Sequence, residues 1–135
     1  MESVPKTLDW VKARAECSIE HVFMLLVEVV DSDVKAVQAR TDRRGEFGTN
    51  RLRDTKLIVT KASDYGAGLK TVAGVVFERT PSGIDVHAST QDGQKTMFTA
   101  KPSFDGAGTC RLDVDGQPLE LWQVSRKALE DLFFS

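Results

Sequence analysis

The stretch SIEHVFMLLVEVVDSDVKAV, Ser18–Val37, settles the architecture if its period can be read. Ile19, Val22, Phe23, Leu26, Val30, Val34 and Val37 recur at three- and four-residue steps over about five turns, the spacing of an apolar helix face. Glu20, Glu28, Asp31, Lys35 and Gln38 fall mostly on the other side. The valines argue for a strand, because β-branched side chains lose rotamer freedom in a helix. Over this length the spacing outweighs that preference, and the stretch is read as a helix with one buried stripe. Helical spacing runs from Thr7 to Arg40, with Ser18 either capping a second helix or lying inside a single long one. Thr7 is the expected first cap, Asp9 favours the positive end of the dipole, and Trp10, Ala13 and Cys17 would share a face.

Downstream the rhythm changes. Thr41–Asp54 is polar and glycine-bearing, and reads as a loop with an edge strand around Phe47. Leu57–Ala62, Thr71–Arg79, Ile84–Ser89, Lys95–Lys101 and Thr109–Val114 are short and rich in β-formers. They are separated by turns such as Thr80-Pro-Ser-Gly83 and Gln91-Asp-Gly-Gln94. Turns this short join only antiparallel neighbours, since a parallel pair needs a crossover of a dozen or more residues. Ile84, Val86 and Ala88 alternate with Asp85, His87 and Ser89, as do Cys110, Leu112 and Val114 with polar neighbours. One face of the sheet should therefore be apolar and the other wet. After Asp115-Gly116, Pro118 suits a first helical turn. A stripe of Leu121, Trp122, Ser125, Leu129, Leu132 and Phe133 then makes a terminal helix that docks Phe133 and Phe134; a competing reading makes Leu119–Val124 a strand. The expected fold class is α+β, one domain over residues 1–135. It has an N-terminal helix or helix pair, an antiparallel meander of about five strands and a C-terminal helix, with the helices on one face.

Composition bounds the function. The chain has 135 residues, 41% hydrophobic and 28% charged, and a net charge of −2. That composition fits one globular core and gives no overall basic field for nucleic acid. No membrane span or signal peptide is visible, so the cell interior is the expected location. Cys17 and Cys110 match no metal or redox spacing and read as two buried thiols in preference to one remote disulfide. Asp85, His87 and Ser89 invite comparison with a hydrolytic triad. Residues two apart on a strand project in parallel, roughly 7 Å apart, beyond the reach of such a relay. No metal set, calcium loop, phosphate-cradling loop or cofactor motif is found, and no catalytic residue, metal or cofactor is expected.

The charge pattern is the exception to this plain composition. Residues 35–61 hold eight basic and three acidic side chains inside an otherwise acidic chain. Arg43, Arg44, Arg51 and Arg53 are the candidate anion-binding residues, with Phe47 available for stacking on a nucleic acid. By size, acidity and helix–sheet–helix order the chain resembles the small secretion chaperones of bacterial export systems, in architecture alone. Those proteins place a helix between their strands, and this sequence shows none there. The leading expectation is a binding or protein-interaction domain without catalytic machinery, working through the open sheet face or a helix–sheet groove, with a protein partner or a second copy. Anion or nucleic-acid binding through residues 40–61 is one alternative. A ligand carrier or enzyme with a pocket near Met24, Met97 and Phe98 is the other.

Overall fold

The structure, a computed structural model, describes residues 7–42, 45–64 and 68–135. The N-terminal helical region is a pair, α1 (Trp10–Glu16) and α2 (Ile19–Gln38). Ser18 separates them: its backbone is extended and its hydroxyl accepts the His21 N–H at 3.1 Å, so α2 carries its own cap. Asp9, not Thr7, caps α1 by accepting the Lys12 N–H. The α2 stripe reads as expected, with Val22, Phe23, Leu26, Val27, Val30 and Val34 buried and Glu28 in solvent.

Seven strands follow rather than about five: β1 (Phe47–Leu52), β2 (Lys56–Asp64), β3 (Leu69–Thr80), β4 (Gly83–Thr90), β5 (Gly93–Phe104), β6 (Cys110–Val114) and β7 (Gln117–Leu119). They form one antiparallel meander in sequence order. The extra members lie at the two edges. The polar segment near Phe47 is a full strand, pairing Phe47 with Lys61 through to Leu52 with Lys56. Pro118 does not begin a helix but sits in β7 opposite Asp113. An edge strand tolerates proline because one side of its backbone has no neighbour to receive a hydrogen bond. The terminal helix α3 (Leu121–Phe134) starts three residues later, where the Glu120 N–H donates to Gln123 Oε1.

The register fixes the two faces. Leu57, Phe77 and Val86 stand in one row and Val59, Val75 and Ala88 in the next, all toward the helices. With Ile84, Phe98, Ala100, Leu112 and Val114, all of them but Ala88 meet the stripes of α2 and α3 in one core. Both helices lie on this face, and Ser125 of α3, buried at their contact, donates to Asp33 of α2 at 2.6 Å. A hydroxyl taken out of water there is stable because the carboxylate accepts it. Gly83 opens β4 where only glycine fits, since a Cβ would stand 2.7 Å from the Ala100 carbonyl oxygen of β5.

Two aromatic expectations change. Trp122, expected in the docking stripe of the terminal helix, remains more than half exposed, as does Trp10. Phe133 docks edge-on against Phe47, with ring centroids 5.1 Å apart, whereas Phe134 stays in solvent.

The cysteine expectation is overturned. Cys17 and Cys110 are bonded to each other across 93 residues of sequence, joining the α1–α2 junction to the first residue of β6. The two positions looked unrelated in sequence because the meander alone brings β6 back beneath the start of α2. No helix among the described residues is long and apolar enough to cross a membrane. The disulfide sits awkwardly with the expected cell interior, where thiol pools keep most cysteines reduced.

Candidate binding surfaces

Besides a groove of about 360 Å³ between α2 and α3, lined by Val37, Leu129 and Phe133, three surfaces among the described residues have enough shape to receive a ligand. The first is the sheet face that no helix covers. Its central row runs Asn50, Ile58, Val76, His87 and Thr96 across five strands. Gly74 in the adjoining row has no side chain, and its backbone lies close against β2, where a Cβ would stand 3.0 Å from the Val59 carbonyl oxygen. The result is a notch of about 330 Å³ walled by Ile58, Thr60, Val72, Val76, Ser89 and Gln94. Val76 is 7% exposed although it faces away from the helices. Around this apolar centre the face is polar and mostly satisfied: Lys56 pairs with Glu78 at 3.0 Å, and Thr99 donates to Asp85 at 2.8 Å. His87 Nδ1 lies 3.5 Å from Thr96 Oγ1 and Asp85 accepts from Thr99, so His87 and Asp85 look to separate partners and no relay forms among the described residues.

The second surface is a polar cleft of about 460 Å³ between the start of α2 and the β1–β2 and β3–β4 ends of the sheet. It brings together Glu20, Met24, Arg51, Asp54 and Arg79. Of the four arginines singled out in the sequence, only Arg51 lines it. Arg53 occupies the β1–β2 turn with φ 56°, and Arg43 and Arg44 lie outside the described residues. Arg79 is the member sequence reasoning missed. It is 28 residues beyond Arg51, and its place in the cleft follows from the pairing of β3 with β2, which seats its N–H on the Thr55 carbonyl at 2.7 Å. Among the described residues neither Arg51 nor Arg79 belongs to an ion pair.

The third is a cavity of about 210 Å³ between helices and sheet, beside the disulfide. Its walls are Ala13 of α1, Val22 and Leu25 of α2, Leu112 of β6, and Leu119 and Leu121 at the β7–α3 junction, with His21 and Glu16 at its border. A helix–sheet pocket was expected near Met24, Met97 and Phe98, but those three do not meet. Met24 is exposed at the polar cleft, Met97 is exposed on β5, and Phe98 is buried in the core.

The loop flanking that cavity is ordered by Asp105. Its Oδ1 accepts the N–H groups of Thr109 and Ala107, both at 2.9 Å, and Arg111 lies 3.6 Å from its other oxygen. The Thr109 N–H above all holds the carboxyl below its ordinary value, with Ala107 and Arg111 adding to the effect. A lowered folded-state value means that this contribution is complete above the ordinary carboxylate range and fades as pH falls through the depressed value.

The first edge strand is blunted at its start. The Glu46 carbonyl accepts the Ala62 N–H, so alternation of an antiparallel ladder turns the backbone groups of Phe47 away from β2. Gln38 Oε1 then takes the Phe47 N–H at 2.8 Å. That occupies the first donor a strand from another chain would use.

No protein-family model, curated protein or solved structure matches this chain. Among the described residues no group of three or more His, Cys, Asp or Glu side chains could hold a metal ion. What the geometry defines is a two-layer α+β domain with one helical layer and one uncovered sheet face.

Proposed function

We propose that the chain is a binding module that receives an extended segment of a partner protein on its uncovered sheet face. The observation behind this reading is the notch at Gly74, an apolar centre of Ile58, Val72 and Val76 inside a polar surround. That arrangement matches the core-and-rim anatomy of protein interfaces. A shallow, open depression gives a small molecule little enclosure, whereas an extended chain can lay one apolar side chain over Gly74. Thr60, Ser89 and Gln94 around it supply donors and acceptors for that chain's backbone. The ion pair and hydrogen bond on the surround are already made, so the favoured segment is apolar rather than charged.

A photo-reactive amino acid at Thr60 should give a discrete protein adduct in the source cells, and one at exposed Lys35 on α2 should not. Ile58→Asp should abolish the Thr60 adduct without unfolding the protein, because Ile58 lies outside the core. Identical adducts from both positions, or an adduct indifferent to Ile58→Asp, would refute the assignment. An adduct of the chain with itself would replace the partner by a second copy.

A second reading is supported by Arg51 and Arg79. Two guanidinium groups at one cleft, in no ion pair among the described residues, suit a phosphate or carboxylate, which the planar fork can grip in bidentate fashion. Glu20 and Asp54 in the same cleft work against high affinity. Titration with inorganic pyrophosphate at low salt should show binding that weakens roughly tenfold on Arg51→Ala with Arg79→Ala, and that fades with added salt. Equal binding by the variant, or none by the parent protein, removes this reading, and a labelled oligonucleotide in the same assay tests the nucleic-acid form of it.

A further inference from the structure

We propose that the Cys17–Cys110 disulfide is a redox latch that holds α1 over the cavity between helices and sheet. The helix α1 has no buried residue, and Ala13 alone is even half-buried. Among the described residues its hydrogen bonds are internal: Asp9 accepts from the Lys12 N–H, and Arg14 donates to the Cys17 carbonyl. Beyond the Leu8 side chain, which lies where a Cβ on Gly108 would stand, its firm attachment is the bond at Cys17, its own C-cap.

Nothing else in the core needs that bond in place. The following helix is capped by Ser18 and buries its own stripe, and β6 is held on both sides by β5 and β7. Segments with few buried contacts open at free energies well below that of global unfolding. Breaking the disulfide therefore frees α1 first, and with it the Ala13 wall of the cavity. The buried Val22 and Leu112 then meet solvent and the half-buried Leu25, Leu119 and Leu121 become more exposed, while the exposed Trp10 and Val11 become free to move.

The exchange step balances with a dithiol as reductant. Cys17 is 4% exposed, whereas Cys110 is partly open. One thiolate of the reductant attacks Cys110 Sγ and Cys17 departs as thiolate. The reductant's second thiol then attacks the mixed disulfide, closing the reductant's own disulfide and releasing Cys110. Two electrons and two protons pass from the dithiol to the protein.

Trypsin cleavage after Lys12 and Arg14, followed with and without dithiothreitol, tests this. Reduction should speed cleavage at those two sites roughly tenfold or more and raise the fluorescence of a bound hydrophobic dye, with amides of β3 and β4 still protected from hydrogen exchange. Cys17→Ser combined with Cys110→Ser should reproduce the reduced behaviour without any reductant. Unchanged cleavage on reduction overturns the latch. So does trypsin cleavage at sites within the sheet as fast as at Lys12 and Arg14, which would show that reduction opens the whole fold rather than α1.

Discussion

Phe77→Ala should lower the free energy of unfolding by about 3–5 kcal/mol, the range for deleting a fully buried phenylalanine from a packed core. Phe77 has no exposed surface and stands between Leu57 and Val86 in the sheet, beneath the helical layer. Its removal leaves a cavity that neighbouring strands cannot close, because their spacing is set by the backbone ladders on both sides. Phe134, 76% exposed, serves as the control, and its replacement by alanine should fall within about 0.5 kcal/mol of the parent. Urea unfolding followed by circular dichroism measures both. A loss below about 1 kcal/mol for Phe77→Ala would mean that this row of the sheet is not the centre of the core.

The second large effect belongs to the disulfide and acts through the unfolded chain. Linking residues 93 apart removes loop-closure freedom from the denatured ensemble, worth about 4–5 kcal/mol for a loop of this size in the chain-entropy treatment. The double serine variant should therefore unfold at much lower urea concentration than the oxidised parent, and reduction of the parent should bring the two curves together. This global term is distinct from the release of α1, which is a change within the folded state and is read by local cleavage. Equal midpoints for oxidised parent and variant would show that the bond does not stabilise the fold by restricting the unfolded chain.

The α2 stripe was legible because seven apolar positions keep one period over the whole helix, and that outweighs the β-preference of its valines. The meander was legible because its turns are too short for any crossover. The edge strands were legible only in part, since an edge strand was expected around Phe47 but neither its run to Leu52 nor β7 was. β1 carries Thr49, Asn50 and Arg51, whose side chains stand in solvent, and a strand without an apolar alternation looks like a loop. Pro118 carried the opposite signal, since the missing N–H that suits a first helical turn also suits an edge strand.

The candidate surfaces were harder still, because each is assembled by strand pairing. Arg51 was visible as a member of a basic run, but its partner in the cleft, Arg79, lies in a separate strand with no basic neighbourhood to mark it. Gly74 lies inside a run of strand-formers, and the notch it makes depends on what stands beside it in β2 and β4. The disulfide likewise joins the helix-pair junction to the sixth strand, a distance in sequence over which no spacing rule operates.

The central claim is that helices cover one face of the sheet and leave the other open. Ile58 and Val59 are neighbours on β2 that point to opposite faces, Val59 fully buried and Ile58 partly exposed. Paramagnetic broadening of their methyl signals by a soluble gadolinium chelate separates the faces directly. The account predicts strong broadening at Ile58 and almost none at Val59. Equal protection of both, or broadening at Val59, would contradict it.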